Sequence, residues 1–292
     1  MTNTDLKGLG VALITPFKED ESVDFEALSK LIDFQIQNGA DFMVVLGTTA
    51  ETPTLTEEEK AEITRVAVAQ VRGRVPVVLG VSSNCTRTLV EHLHHTDFRG
   101  IDAVMSVVPY YNKPSQEGVY QHFKAMVESV SLPVIIYNVP GRTGTNMTAE
   151  TTLRIAHDFE QVIAIKEASG NLTQVNTIIK HKPSDFQVIS GDDALTLPLI
   201  ALGAAGVISV IGNAIPAAFS RMVHMALKGD TRNAAIENAR WLEIFDLLFV
   251  DGSPAGIKSM LHIMGLVENK LRLPLVPVRQ ATYERIREIL AQ

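Results

Sequence analysis

Lys166 closes the apolar run Val162, Ile163, Ala164, Ile165, a stretch whose residue types belong in the interior of a strand. A solvated lysine has a pKa of about 10.4, so only about one molecule in 2,500 carries the neutral, nucleophilic amine at pH 7. Desolvation in an apolar setting lowers that value by several units, and each unit gives about tenfold more free amine. A lysine so placed can attack a carbonyl and hold it as a Schiff base. The competing reading is a side chain that snorkels from the strand end or pairs with Glu167. Alternation along a strand sends Glu167 to the opposite face, which weakens the pairing.

Schiff-base chemistry moves protons near a carbon that cannot supply them, so a shuttle is required. Tyr137 closes the run PVIIYN and serves if a hydrogen-bond chain tunes its phenol, with Thr48 or Thr49 as the first link and Tyr111 as the second. Arg142, in the segment VPGRTG that follows, offers a planar fork suited to a carboxylate. Taken singly these residues read as a packed aromatic and an exposed loop arginine. Their placement after successive strand-like runs joins them into one candidate rim.

The elements that would carry this rim recur along the chain. Strand-like runs are expected at 10 to 15, 42 to 47, 75 to 80, 103 to 108, 133 to 138, 162 to 167, 186 to 190 and 206 to 210. Between them lie amphipathic stretches at 25 to 37, 57 to 71, 87 to 98, 117 to 129, 149 to 157, 172 to 179 and 194 to 202. Asp24, Thr56, Thr86, Thr148 and one of Asp192 or Asp193 read as helix N-caps. About eight βα units in tandem point to a closed (β/α)8 TIM barrel, whose chemistry sits at the C-terminal ends of its strands. GLGVAL near residue 8 is no dinucleotide-binding turn, because it is expected to precede its strand. Helical stretches near 217 to 227, 232 to 249, 255 to 265 and 279 to 290 complete the chain, the last after the break at Pro274 and Pro277. The expected division is a catalytic barrel over 1 to 228 and a small C-terminal helical domain over 229 to 292.

Composition removes several function classes. The net charge of -7 is spread along the chain, which argues against a nucleic-acid partner. No apolar run reaches the roughly 18 residues of a membrane span. A lone Cys85 and an N-terminus without an apolar signal core point to the cytoplasm. His92, His94 and His95 lack a further ligand set and read as a solvated helix face, so no metal is expected. Lys258, in a helical apolar stretch, reads as a packed or snorkelling side chain. No phosphate-binding loop or nucleophile elbow is present, and no cofactor is called for.

The motifs GTTAET (47 to 52), VPYYNKPSQEGVYQHF (108 to 123), YNVPGRTG (137 to 144), IKEASGNL (165 to 172) and SGDD (190 to 193) follow one another in a familiar order. With them the sequence resembles the pyruvate-dependent class I aldolase and lyase superfamily, and within it the dihydrodipicolinate synthase family. The resemblance implies that Lys166 is the Schiff-base lysine and that Tyr137, Thr48 and Tyr111 form a proton relay, Tyr111 entering from a neighbouring subunit. It implies pyruvate as first substrate, lined by Thr49, Gly191 and Ile208, and aspartate semialdehyde as second, its carboxylate on Arg142. Homotetramers or homodimers are the family's usual state. Ala50 departs from the family, which has Gly after the paired threonines. Some relatives bind lysine at a subunit interface; Asn84 and Tyr110 match that site, whereas Thr88 and Lys60 depart from it. Two other readings stand beside this one: an aldolase for a phosphorylated sugar, disfavoured by Asp192 and Asp193 at the phosphate end of the barrel, and a barrel without catalysis that serves as a binding protein.

Overall fold

A computed structural model describes residues 6–291; residues 1–5 and 292, the outer ends of the two expected units, lie outside that description. Eight strands, β1 (Gly8–Ala12), β2 (Phe42–Val45), β3 (Val77–Gly80), β4 (Ala103–Val107), β5 (Val134–Asn138), β6 (Val162–Glu167), β7 (Gln187–Ser190) and β8 (Gly206–Ser209), pair in parallel in chain order and close into a barrel. Closure is made by glycine. Gly8 and Gly206 are opposite each other at the β1–β8 seam, and a Cβ on Gly206 would lie 2.0 Å from the Gly8 carbonyl oxygen.

Alternation divides the apolar side chains between two cores. Val44, Val78, Met105, Ile135, Ala164, Ile189 and Ile208 fill the barrel interior. Val11, Val45, Leu79, Val104, Ile136, Ile165, Val188 and Val207 face outward into the larger core beneath the helices. Helices α1 (Phe25–Gln37), α2 (Glu57–Val71), α3 (Thr86–His95), α4 (Gln116–Ser129), α6 (Ala149–Asp158), α7 (Leu172–His181) and α8 (Thr196–Leu202) follow strands one to seven, with a short α5 (Pro140–Thr143) after β5. Asp24 caps α1, Thr148 caps α6, and Thr56 with Glu59 forms a reciprocal capping box on α2.

Two expected caps are corrected. Cys85 precedes α3, and the Thr86 hydroxyl instead meets His122 Nδ1 at 2.9 Å. Neither aspartate caps α8, which Leu195 precedes: Asp192 Oδ1 accepts from Ala194 and Leu195 N–H in the turn leading in, and Asp193 reaches across to the end of β8. The first strand also starts at Gly8, so the GLG triplet lies within β1 instead of ahead of it.

After β8, α9 (Pro216–Leu227) packs back on the barrel, followed by α10 (Thr231–Ala239), α11 (Leu242–Val250), α12 (Ala255–Ile263) and α13 (Gln280–Leu290). The single stretch expected over 232 to 249 is therefore two helices, separated at Arg240 and Trp241. The large core runs on through Ile244, Phe245, Leu248, Ile257, Met260 and Leu261, so these helices share apolar packing with the barrel.

Candidate active site

Strands β5 and β6 pair with Tyr137 opposite Lys166 and Asn138 opposite Glu167. The pleat turns the first pair into the barrel mouth and the second outward. Lys166 is buried, and its Nζ lies 4.4 Å from the Tyr137 ring centroid. Burial pulls the amine down to about 8, with the Asp193 carboxylate opposing that shift and the Arg142 charge reinforcing it. The amine is thus far closer to its neutral form at pH 7 than a solvated lysine is.

Tyr137 moves the other way. Burial pushes its phenol up to about 12, against the opposing pull of Arg142 and a side-chain hydrogen bond with Thr48. The resting phenol therefore holds its proton, and of the two threonines it is Thr48 whose side chain acts on it. Thr48 begins the turn Thr48–Ala50 beyond β2 and is exposed, whereas Thr49 is buried. Ala50, where a methyl replaces the family's glycine, takes an ordinary φ; the left-handed residue is its neighbour Glu51, at +57°. The methyl is accommodated without backbone strain.

Gly191 follows β7 directly beneath the lysine. A Cβ there would lie 2.8 Å from Ala168 Cβ and 3.0 Å from Lys166 Cε, so the lysine stem occupies the space a side chain would need. Ile208 is buried in the interior cluster on β8. Arg142 sits exposed on α5 beside the same mouth, close enough for its charge to act on both Lys166 and Tyr137. Tyr111 stands apart. Within this chain it is 87% exposed, at φ +72°, with its backbone N–H on the Thr143 carbonyl.

Behind the inward pair, Glu167 accepts from the Asn138 side chain, from Ser169 N–H at 2.7 Å and from the Gln174 amide, while Asn138 Oδ1 accepts from Met147 N–H. Glu167 is thereby engaged away from Lys166, as strand alternation implies. Asp193 is the group that sequence reasoning missed. Its carboxylate is buried, accepts from Val210 and Ile211 N–H, and is pushed up to about 6 by burial. The motif SGDD drew notice to this spot, but nothing in it distinguishes the aspartate that turns inward.

A buried amine near neutrality, a protonated phenol against it and a guanidinium at the rim suit capture of a keto acid, and a closed (β/α)8 barrel carrying them is a lyase of the class I aldolase type. The chain belongs to the dihydrodipicolinate synthetase family, whose model matches residues 5–292. It is 67% identical over 292 residues to the 4-hydroxy-tetrahydrodipicolinate synthase of Parabacteroides distasonis, an alignment covering 100% of this chain and 98% of that one. The crystal structure of dihydrodipicolinate synthase from Aquifex aeolicus superposes with a TM-score of 0.94 at 41% identity, covering 98% of this chain and 97% of that one. That of the Cyanidioschyzon merolae enzyme with lysine bound gives 0.94 at 38% identity, with coverage of 98% and 97%. Among the described residues no helix is long and apolar enough to cross a membrane.

Proposed function

We propose that this chain condenses pyruvate with L-aspartate 4-semialdehyde to give 4-hydroxy-tetrahydrodipicolinate, on the diaminopimelate route to lysine. The observation that carries the assignment of roles is the buried Lys166 amine held against Tyr137. Lys166 Nζ attacks the ketone of pyruvate, and the carbinolamine loses its hydroxyl as water when a proton is supplied. Tyr137, protonated at rest, is that donor, and Thr48 connects it to the next link. Loss of a methyl proton converts the imine to an enamine, whose carbon adds to the aldehyde of the second substrate. The amine of that substrate then adds to the Schiff-base carbon and expels Lys166, closing the ring. Every step is an addition, elimination or proton transfer, so the balance calls for no redox partner.

Thr49, Gly191 and Ile208 line the pyruvate position in this reading, and Arg142 receives the carboxylate of the semialdehyde. Tyr111 completes the relay of a neighbouring subunit in a homodimer or homotetramer; its exposure in the single chain supports that role. In this reading the catalytic barrel ends at residue 228 and a C-terminal helical unit begins at 229, and the lone Cys85 suits a reducing cytoplasm. Arg142→Ala tests the substrate assignment: pyruvate is still captured, but kcat/KM for the semialdehyde falls about ten- to 150-fold, the cost of one charge-assisted contact. Unchanged kinetics would remove Arg142 from the site.

A further inference from the structure

Glu51 occupies an expensive position. It is 1% exposed and takes a left-handed φ of +57° between the turns Thr48–Ala50 and Thr52–Thr54. Its Oε1 is ion-paired with Lys258 on α12, itself fully buried, and its Oε2 accepts from Arg272 N–H at 3.1 Å. Lys258 was expected to pack or snorkel; it packs, with its ammonium paired inside the protein instead of reaching solvent. Lys258 Nζ also donates to the Lys270 carbonyl at 2.9 Å. Arg272 donates to the Thr54 carbonyl at 2.9 Å and forks onto both oxygens of Glu59, at 2.6 and 2.5 Å. The Phe17 ring takes both cations, with Lys258 Nζ 4.1 Å and Arg272 Cζ 4.5 Å from its centroid. The segment from Lys258 to Arg272 thus grips the turn that presents Thr48 and Thr49.

A buried ion pair is weak evidence for stability, because an apolar pair of similar volume often serves as well. What it fixes is direction: a carboxylate held from two sides leaves the backbone at Glu51 one arrangement, and Thr48 is three residues away on the same turn. We propose that Glu51 and Lys258 are positioning residues for the proton relay, through which the C-terminal helices set where the Thr48 hydroxyl stands relative to Tyr137. This rests on the reading of Lys166, Tyr137 and Thr48 given above.

The test compares Glu51→Gln/Lys258→Met, Thr48→Ala and all three substitutions together, in the full-length protein. The double variant removes both charges and so avoids a stranded buried ion. It is expected to trap pyruvate on Lys166 more slowly but, once equilibrated, to the wild-type extent, while kcat falls about ten- to 100-fold, the scale of a mispositioned proton-transfer group. If the pair acts through Thr48, adding Thr48→Ala to the double variant costs little more, because both changes disable one relay. A native kcat in the double variant, or a full additional loss on adding Thr48→Ala, overturns the proposal. Should the double variant not fold, Glu51→Asp keeps both charges, shortens the reach and carries the same comparison. Wild-type protein that fails to trap pyruvate on Lys166 would remove the site reading and this inference together, whereas normal trapping with native kcat removes the inference alone.

Discussion

Lys166 and Tyr137 face each other across neighbouring strands, the amine nitrogen 4.4 Å from the centre of the phenol ring, and one environment moves their proton affinities in opposite directions. Burial disfavours the charged form of each, so the lysine tends toward a free amine and the tyrosine toward a neutral phenol. Two titrating groups pushed apart in this way divide the labour: the amine attacks and the phenol supplies the proton.

The first consequence is a pH profile. With Lys166 at about 8, pyruvate capture should accelerate about tenfold per pH unit below that value and level off above it. The Asp193 carboxylate favours the charged amine, so Asp193→Asn should move the midpoint to lower pH. Adduct formation rates measured across pH 6 to about 10 decide this. An unmoved midpoint would show that the Asp193 charge does not act on the amine.

Gly191→Ala should damage capture without dismantling the fold. The added methyl meets Ala168 and the lysine stem, and the stem is the part that can yield. A displacement of about 1 Å at the nucleophile costs on the order of 100-fold in rate. The check is single-turnover adduct formation beside a thermal melt; a wild-type rate would mean that the lysine has slack the packing does not suggest.

Free L-lysine should inhibit weakly or not at all. The sequence resemblance implies that Thr88 stands where lysine-binding relatives carry an acidic residue, and Lys60 brings a cation that pairs with Glu57 at 2.7 Å. Thr88 is itself turned to the Cys85 thiol, which it holds below its usual pKa. Losing one charge-assisted contact costs about 1.5 to 3 kcal/mol, enough to carry a submillimolar affinity into the many-millimolar range. Half-inhibition below about 1 mM, with both substrates near KM, would show that the pocket survives these replacements.

What could be read from the chain follows from where the information lies. Strands buried on both faces write themselves as unbroken apolar runs, so β6 is legible to the residue as VIAIKE, and Lys166 stands out because it ends that run. Helices α1 and α2 are equally plain, each with its cap in place. The Thr86 hydroxyl looked like a cap because its local pattern matches one; a tertiary partner, His122, claimed it. Glu51 and Lys258 are joined by no local pattern at all, since the fold alone brings α12 to the turn after β2. Asp193 shares that limit: its inward aim depends on backbone groups at the end of β8.

The central claim is that Lys166 is the nucleophile. Borohydride reduction in the presence of pyruvate, followed by peptide mass spectrometry, tests it most directly. The account predicts one reduced pyruvate unit per chain, attached to Lys166 and absent from Lys166→Ala. An adduct on Lys258, the other buried amine drawn down to about 8, or no adduct in the wild-type protein, would contradict it.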